Sequence, residues 1–165
     1  MKYNKIKSYA KINLALNVTG KTISLHKIET IISFIDLHDL IFIKKINNPN
    51  HKISFHGKFS KNIGKDNTVR KLLTILDKDK LLKNIKFQIK IKKNIPQKSG
   101  LGGGSMNAGN ILNYLIKKNF IRINKRDVQN ISDTVGSDVI FGVKSNSTIL
   151  TSNNIIKNFF KCPKF

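Results

Sequence analysis

Between Tyr9 and Val18, apolar and polar residues partly alternate: Ala10, Ile12, Leu14 and Leu16 share one parity, and Lys11, Asn13 and Asn17 the other. A period of two marks a half-buried strand, because successive side chains leave opposite faces. Ile28 to Ile35 and Leu40 to Ile46 are rich in Ile and Phe and read as two further strands, joined by Asp36-Leu-His-Asp39 as a turn. His51 to Phe59 reads as another strand. The period changes at Asn67. Val69, Leu72, Leu73, Ile75 and Leu76 recur at helical spacing behind a capping residue, which predicts a helix over 67–82. Ile85, Phe87, Ile89 and Ile91 then alternate with Lys and Gln, so 84–92 is a strand with one wet side. A loop over 96–104 leads into a helix over 105–118, with Met106, Ile111, Leu112, Leu115 and Ile116 inside. A short helix over 126–135 and a strand-like run over 140–143 follow, and the last twenty residues show no clear period. Antiparallel strands early and helices later predict a mixed α+β fold.

Composition narrows the class. A chain of 165 residues can bury one real core. Its longest apolar stretches are far too short to cross a bilayer, and its start lacks the unbroken apolar segment of a signal peptide. One Cys excludes a disulfide framework and a multi-thiolate zinc site. The expectation is a soluble, cytoplasmic protein with no membrane partner.

The formal net charge of +22 first suggests a nucleic-acid partner. The make-up of that charge argues otherwise. Lys is 28 but Arg only 3, and Lys, Ile and Asn together are 74 of 165 residues. All three have A/T-rich codons, so compositional drift accounts for the excess. Sequence readers depend on the Arg fork, and neither zinc-finger spacing nor an RNP-type aromatic segment is present. The charge still attracts anionic ligands at long range.

The chemistry concentrates in Ile95-Pro-Gln-Lys-Ser-Gly-Leu-Gly-Gly-Gly-Ser-Met-Asn107. Four glycines in five positions follow a strand and open a helix. Backbone N–H groups with no side chains in the way can surround phosphate oxygens, and the helix start adds unpaired donors and its positive dipole end. Lys98 lies beside the loop, and Ser105 could reach a phosphate or its metal. The Walker pattern fails because the loop ends Gly-Gly-Gly-Ser-Met, and the Rossmann pattern fails because Ser105 replaces its third glycine. A plain flexible turn is the competing reading.

Three separated stretches resemble the 4-diphosphocytidyl-2-C-methyl-D-erythritol kinase family of the GHMP kinase superfamily. Ala10-Lys-Ile-Asn-Leu-Ala-Leu16 with Val18-Thr-Gly20, followed by His26-Lys-Ile-Glu-Thr30 and Phe34-Ile-Asp-Leu-His-Asp39, is similar to its opening motif. Pro96 to Asn107 resembles its second motif, and Val135-Gly-Ser-Asp-Val-Ile-Phe141 its acid-bearing segment. The motifs occur in the family's order, from about Ser8 to Val143.

The resemblance implies the GHMP-kinase N-terminal fold (ribosomal protein S5 domain 2-like). It implies transfer of the γ-phosphoryl of ATP, with Mg²⁺, to the 2-hydroxyl of a cytidine-diphosphate-linked sugar alcohol in isoprenoid precursor biosynthesis. Asp138 would take the hydroxyl proton, and Lys11 would orient it and stabilise the transferring charge. Asn13 and His26 match substrate-lining positions. Asn67, Lys93, Pro96, Gln97, Lys98, Ser99, Gly100, Leu101, Gly102, Gly103, Gly104, Ser105 and Met106 match the ATP site. The sequence departs at Leu25, where the family has Tyr, at Met106, where it has a second Ser, and at Lys144 to Ser147, where it has a glycine pair.

The family's chains are much longer, so the expectation is an ATP-binding domain over 1–145 and a truncated tail or linker remnant over 146–165. The C-terminal domain would be absent, and self-association or a second chain would replace it. Two alternatives stand beside this reading: an inactive remnant that at most binds ATP, and a basic nucleic-acid-binding α+β domain. His38, His51 and His56 are expected at the surface or in turns, and Asp36 and Asp39 as turn formers.

Overall fold

The computed structural model describes residues 2–21, 26–64, 66–144, 148–151 and 156–158, with only the backbone at 21, 26–28 and 156–158. Strand β1 (Asn4–Lys21) and strand β2 (His26–Ile46) form a long antiparallel pair. Strand β3 (Lys52–His56), helix α1 (Thr68–Lys78) and strand β4 (Lys86–Lys92) follow as a crossover between parallel neighbours. Helices α2 (Gly103–Lys117), α3 (Lys125–Val135) and α4 (Val139–Lys144) come next, then the short strands β5 (Thr148–Leu150) and β6 (Ile156–Asn158). The sheet runs β3-β4-β2-β5-β6, with β1 along the other edge of β2. Both β4 and β5 pair with β2, through Leu40–Ile46 and Thr30–Ile32 respectively.

The helices cover one face of this sheet. Ile41, Ile43, Phe87, Ile89 and Ile91 meet Val69, Leu72 and Leu76 of α1 and Ala108, Ile111, Leu112 and Leu115 of α2 in the main core. The alternation along β4 fits this arrangement: Phe87, Ile89 and Ile91 are buried, and Lys90 and Lys92 are exposed. Helix α1 begins where the sequence places it, with the Asn67 side chain accepting the Arg70 N–H at 3.1 Å. Asn124 and Asp127 close a reciprocal capping box on α3.

Three expectations are corrected. Asp36–Asp39 is not a hairpin turn. Strand β2 continues through it, and Asp36 and Leu37 are extra residues between the Tyr9–His38 and Ala10–Ile35 pairs. Residues 140–143 lie in helix α4, because a run of four apolar residues has no period to distinguish a buried helix from a buried strand. The apolar parity of β1 does not face the core along its length. Further bulges at Asn13/Ala15 and Val18/Gly20 shift the sides, leaving Leu14, Leu16 and Val18 at 47%, 58% and 55% exposure.

His51, expected at the surface or in a turn, lies in the β2–β3 connection, but its ring is turned inward: it stacks on Phe87 and accepts its N–H at Nδ1, 3.0 Å away. Burial pushes its pKa below the usual imidazole value, and nearby Lys86 adds to that while Asp77 opposes it.

Candidate active site

The glycine loop is turned by three left-handed residues, Lys98, Gly100 and Gly102. Gly102 caps α2 at φ 67°, and a Cβ there would lie 2.9 Å from Lys11 Cγ, so this position needs glycine on both counts. The first helical bond runs from Met106 N–H to Gly102 C=O, 2.8 Å. The N–H groups of Gly103, Gly104 and Ser105 therefore have no intrahelical acceptor and form the donor end of the helix. Thr68 Oγ1 donates to Gly104 C=O at 2.8 Å and joins the start of α1 to the start of α2. Gln97 Nε2 donates to the carbonyls of Phe59 and Lys61, at 2.9 and 2.6 Å, and pins the loop's outer side.

These elements enclose a cleft of about 540 Å³. Its walls include Asn67, Lys93, Pro96 to Gly100, Gly102 to Ser105, Lys11 and Asp138. Lys11 is only 7% exposed, although it stands on a strand parity read as polar. Its backbone N–H donates to Leu101 C=O at 3.1 Å, so strand β1 is fastened to the loop. Its ammonium lies 3.4 Å from Asp138 Oδ2 and donates to Asn13 Oδ1 at 2.6 Å. Asn13 in turn donates to Thr30 Oγ1, and Thr30 to Ala15 C=O, both at 2.7 Å. The chain of bonds fixes the Lys11 side chain while Asp138 stays partly open to solvent.

Asp138 is placed by helix packing. A Cβ on Gly109 of α2 would come within 2.3 Å of Val139 C=O, so α2 and α4 touch backbone to backbone there. That contact fixes the residue next to Asp138 in the chain.

Several expected site residues stand apart from the cleft. Leu101 and Met106 are not in its wall. Met106 is fully buried with Ile32, Ile140 and Phe141 in a second core cluster, its Cε 3.6 Å from where a Gly102 Cβ would be, so it packs beneath the loop. Asn13 is exposed, is not in the cleft wall, and accepts from the Lys11 ammonium. The side chain of His26, and all of Leu25, fall outside the described residues. Asn67 lines the cleft, but its amide is also engaged as the α1 cap and donates to Gly64 C=O at 3.0 Å.

Three residues went unread in the sequence. Thr30 and Thr68 carry the bonds just described. Asp39, taken for a turn former, is fully buried and bonded to both ends of the glycine loop. An acid leading straight into an apolar run, as Asp39 does before Leu40 to Ile43, was the available signal.

Among the described residues, no three His, Cys, Asp or Glu side chains gather as a metal cage. The cleft offers the Ser105 hydroxyl and the carboxylates of Asp66 and Asp138. This donor set suits an ion carried on phosphate oxygens, since Mg²⁺ keeps several waters and uses few protein ligands.

The family model for the GHMP kinases N terminal domain matches residues 67–148. The chain is 61% identical over 161 residues to the 4-diphosphocytidyl-2-C-methyl-D-erythritol kinase of Pelagibacter ubique (strain HTCC1062), covering 98% of this chain and 57% of that protein. The chain belongs to the GHMP kinases. A protein of the same name from Petrotoga mobilis (strain DSM 10674 / SJ95) is 34% identical over 94% of this chain and 59% of its own length. The chain thus spans a little over half the length of these curated relatives.

Solved structures bear out the GHMP-kinase fold. A crystal structure of 4-(cytidine 5'-diphospho)-2C-methyl-D-erythritol kinase superposes with a TM-score of 0.73 at 21% identity, over 94% of this chain and 55% of that one. Lactococcus lactis galactokinase gives 0.62 at 15%, over 94% and 46%. No helix among the described residues is long and apolar enough to cross a membrane.

Proposed function

We propose that this GHMP kinase domain binds Mg-ATP in the glycine cleft and supports phosphorylation of the 2-hydroxyl of 4-diphosphocytidyl-2-C-methyl-D-erythritol. The observation that carries the proposal is the meeting of Lys11 and Asp138, 3.4 Å apart, at a cleft lined by the glycine loop. The identity to the Pelagibacter kinase supplies the substrate class.

Phosphoryl transfer needs placement, charge neutralisation and one acceptor for a proton. The α2 donor end and its glycines cradle phosphate oxygens. Asp138 accepts the hydroxyl proton as the hydroxyl oxygen attacks phosphorus, and the bond to the leaving diphosphate breaks. Lys11, held by Asn13, keeps the Asp138 carboxylate aimed and offsets negative charge on the moving phosphoryl. Ser105 would hold the metal ion together with phosphate oxygens, and the ion when bound would screen the phosphates from the incoming oxygen. Asn67, Lys93 and the loop from Pro96 to Ser105 form the nucleotide side of this reading, and Asn13 and His26 the substrate side.

The test is transfer of labelled γ-phosphate from Mg-ATP to that substrate. Wild type should transfer, and Asp138→Asn should lose about 10²–10⁴-fold in turnover, the usual worth of a positioned base. A folded wild type without transfer, or Asp138→Asn turning over normally, would sink the proposal. The first outcome would favour a domain that binds ATP without using it.

A further inference from the structure

Asp39 lies away from the reacting pair, yet four donors converge on its carboxylate. Oδ1 accepts the backbone N–H groups of Asn94 and Ile95, at 2.8 and 2.9 Å. Oδ2 accepts Asn107 Nδ2 at 2.8 Å and pairs with the Lys93 ammonium. The two backbone donors are the last residues before the glycine loop. Asn107 stands just past the first turn of the helix that follows it. Both ends of the loop are therefore tied to one carboxylate from β2.

Lys93 adds the second part of the argument. It is buried, yet it belongs to the cleft wall, and its Nζ sits 3.1 Å from the point where a Gly103 Cβ would be. The ammonium is thus lodged beneath the donor end of α2. A buried cation beside a helix N-terminus is disfavoured twice, by desolvation and by the dipole. Asp39 supplies the counter-charge that keeps it there.

We infer that Asp39 is the positioning residue of the phosphate loop. It sets the spacing between the end of β4 and the start of α2, so that the N–H groups of residues 103–105 converge on one anion. It also holds the Lys93 ammonium in the cleft wall that faces a polyphosphate. The inference rests on reading the cleft as a nucleotide site.

Calorimetric titration of the full chain with Mg-ATP, paired with amide hydrogen exchange, tests it. Asp39→Asn keeps the shape and an acceptor for the two backbone donors, but turns an amide N–H₂ towards Lys93 and Asn107. The expected result is an Mg-ATP Kd raised about tenfold or more. Exchange should quicken at the bonded amides of Asn94, Ile95 and Met106, with the amides of α1 and β4 still protected. Adding Lys93→Gln removes the conflict with the Lys93 ammonium and should restore part of the loop's protection, which a merely structural role would not do.

Unchanged affinity and protection in Asp39→Asn would overturn the inference. So would protection lost evenly across the fold. If Asp39→Asn does not fold, Asn107→Ala removes one donor from the same carboxylate and should loosen the same loop, and an unaltered loop there would count against the inference. A wild type that binds no Mg-ATP defeats the nucleotide reading instead, and the exchange data alone then decide whether Asp39 fixes the loop.

Discussion

At the scale of single residues, the domain places charge where burial makes it costly and then satisfies it with fixed partners. Lys11 is held by Asn13 and Asp138, Lys93 by Asp39, and His51 sits against Phe87 and Asp77. The His51 case predicts a pH dependence. Its pKa is lowered in the fold from 6.5 by burial, so the unfolded chain binds the proton more readily than the folded one. Stability from this residue is complete above about pH 6.5 and is lost as pH falls below it, down through the lowered folded value. Thermal melts between pH 7.5 and 5 should therefore show a falling midpoint in wild type. His51→Asn, which keeps an acceptor for the Phe87 N–H, should give a flatter profile. An equally steep fall in the variant would refute the assignment.

At the scale of elements, local pattern specified what local forces dominate. Helix α1 was legible because Asn67 caps it and its apolar residues recur at helical spacing, and β4 because its alternation is clean. The glycine loop was legible because its donor geometry requires glycines that the sequence states openly. What stayed hidden depends on distant partners. Asp36-Leu-His-Asp39 has the residues of a turn, yet Asp39 is drawn inward by donors from 93–95 and 107, and the strand bulges instead of reversing. Lys11 looks like any other lysine until β1 lies beside Gly102, and only its motif pointed to it.

Helix α4 is the sharpest test at this scale, because its seat on α2 decides where Asp138 stands. Gly109→Ala puts a methyl group 2.3 Å from Val139 C=O, so the two helices must separate. Overpacking of this kind costs about 1–3 kcal/mol. Urea unfolding should register that loss, and phosphoryl transfer should drop by more than the stability change requires. A variant with full turnover would show that the Gly109 contact does not govern Asp138.

The whole molecule carries a net charge of +22, and its exposed sheet face includes Lys90 and Lys92. The field of these lysines acts on any anion. Stopped-flow mixing with a fluorescent ATP analogue should show association slowing severalfold between about 20 and 200 mM salt, as the screening length shrinks from about 20 to about 7 Å. Dissociation should change far less. A salt-independent association rate would mean that the charge does not steer ligands to the cleft.

The order of the site along the chain has a consequence for synthesis. Lys11, Asp39, Lys93 and Asn107, with every tie between β1, β2 and the glycine loop, precede Asp138. At ~5–20 residues per second, roughly 30 residues and a few seconds separate the last of these from the acid. The other residues of the glycine cleft are therefore all made before Asp138. Helices α3 and α4, the last to arrive, thus complete at one time the core, through Ile131, Val135 and Val139, and the Lys11–Asp138 pair.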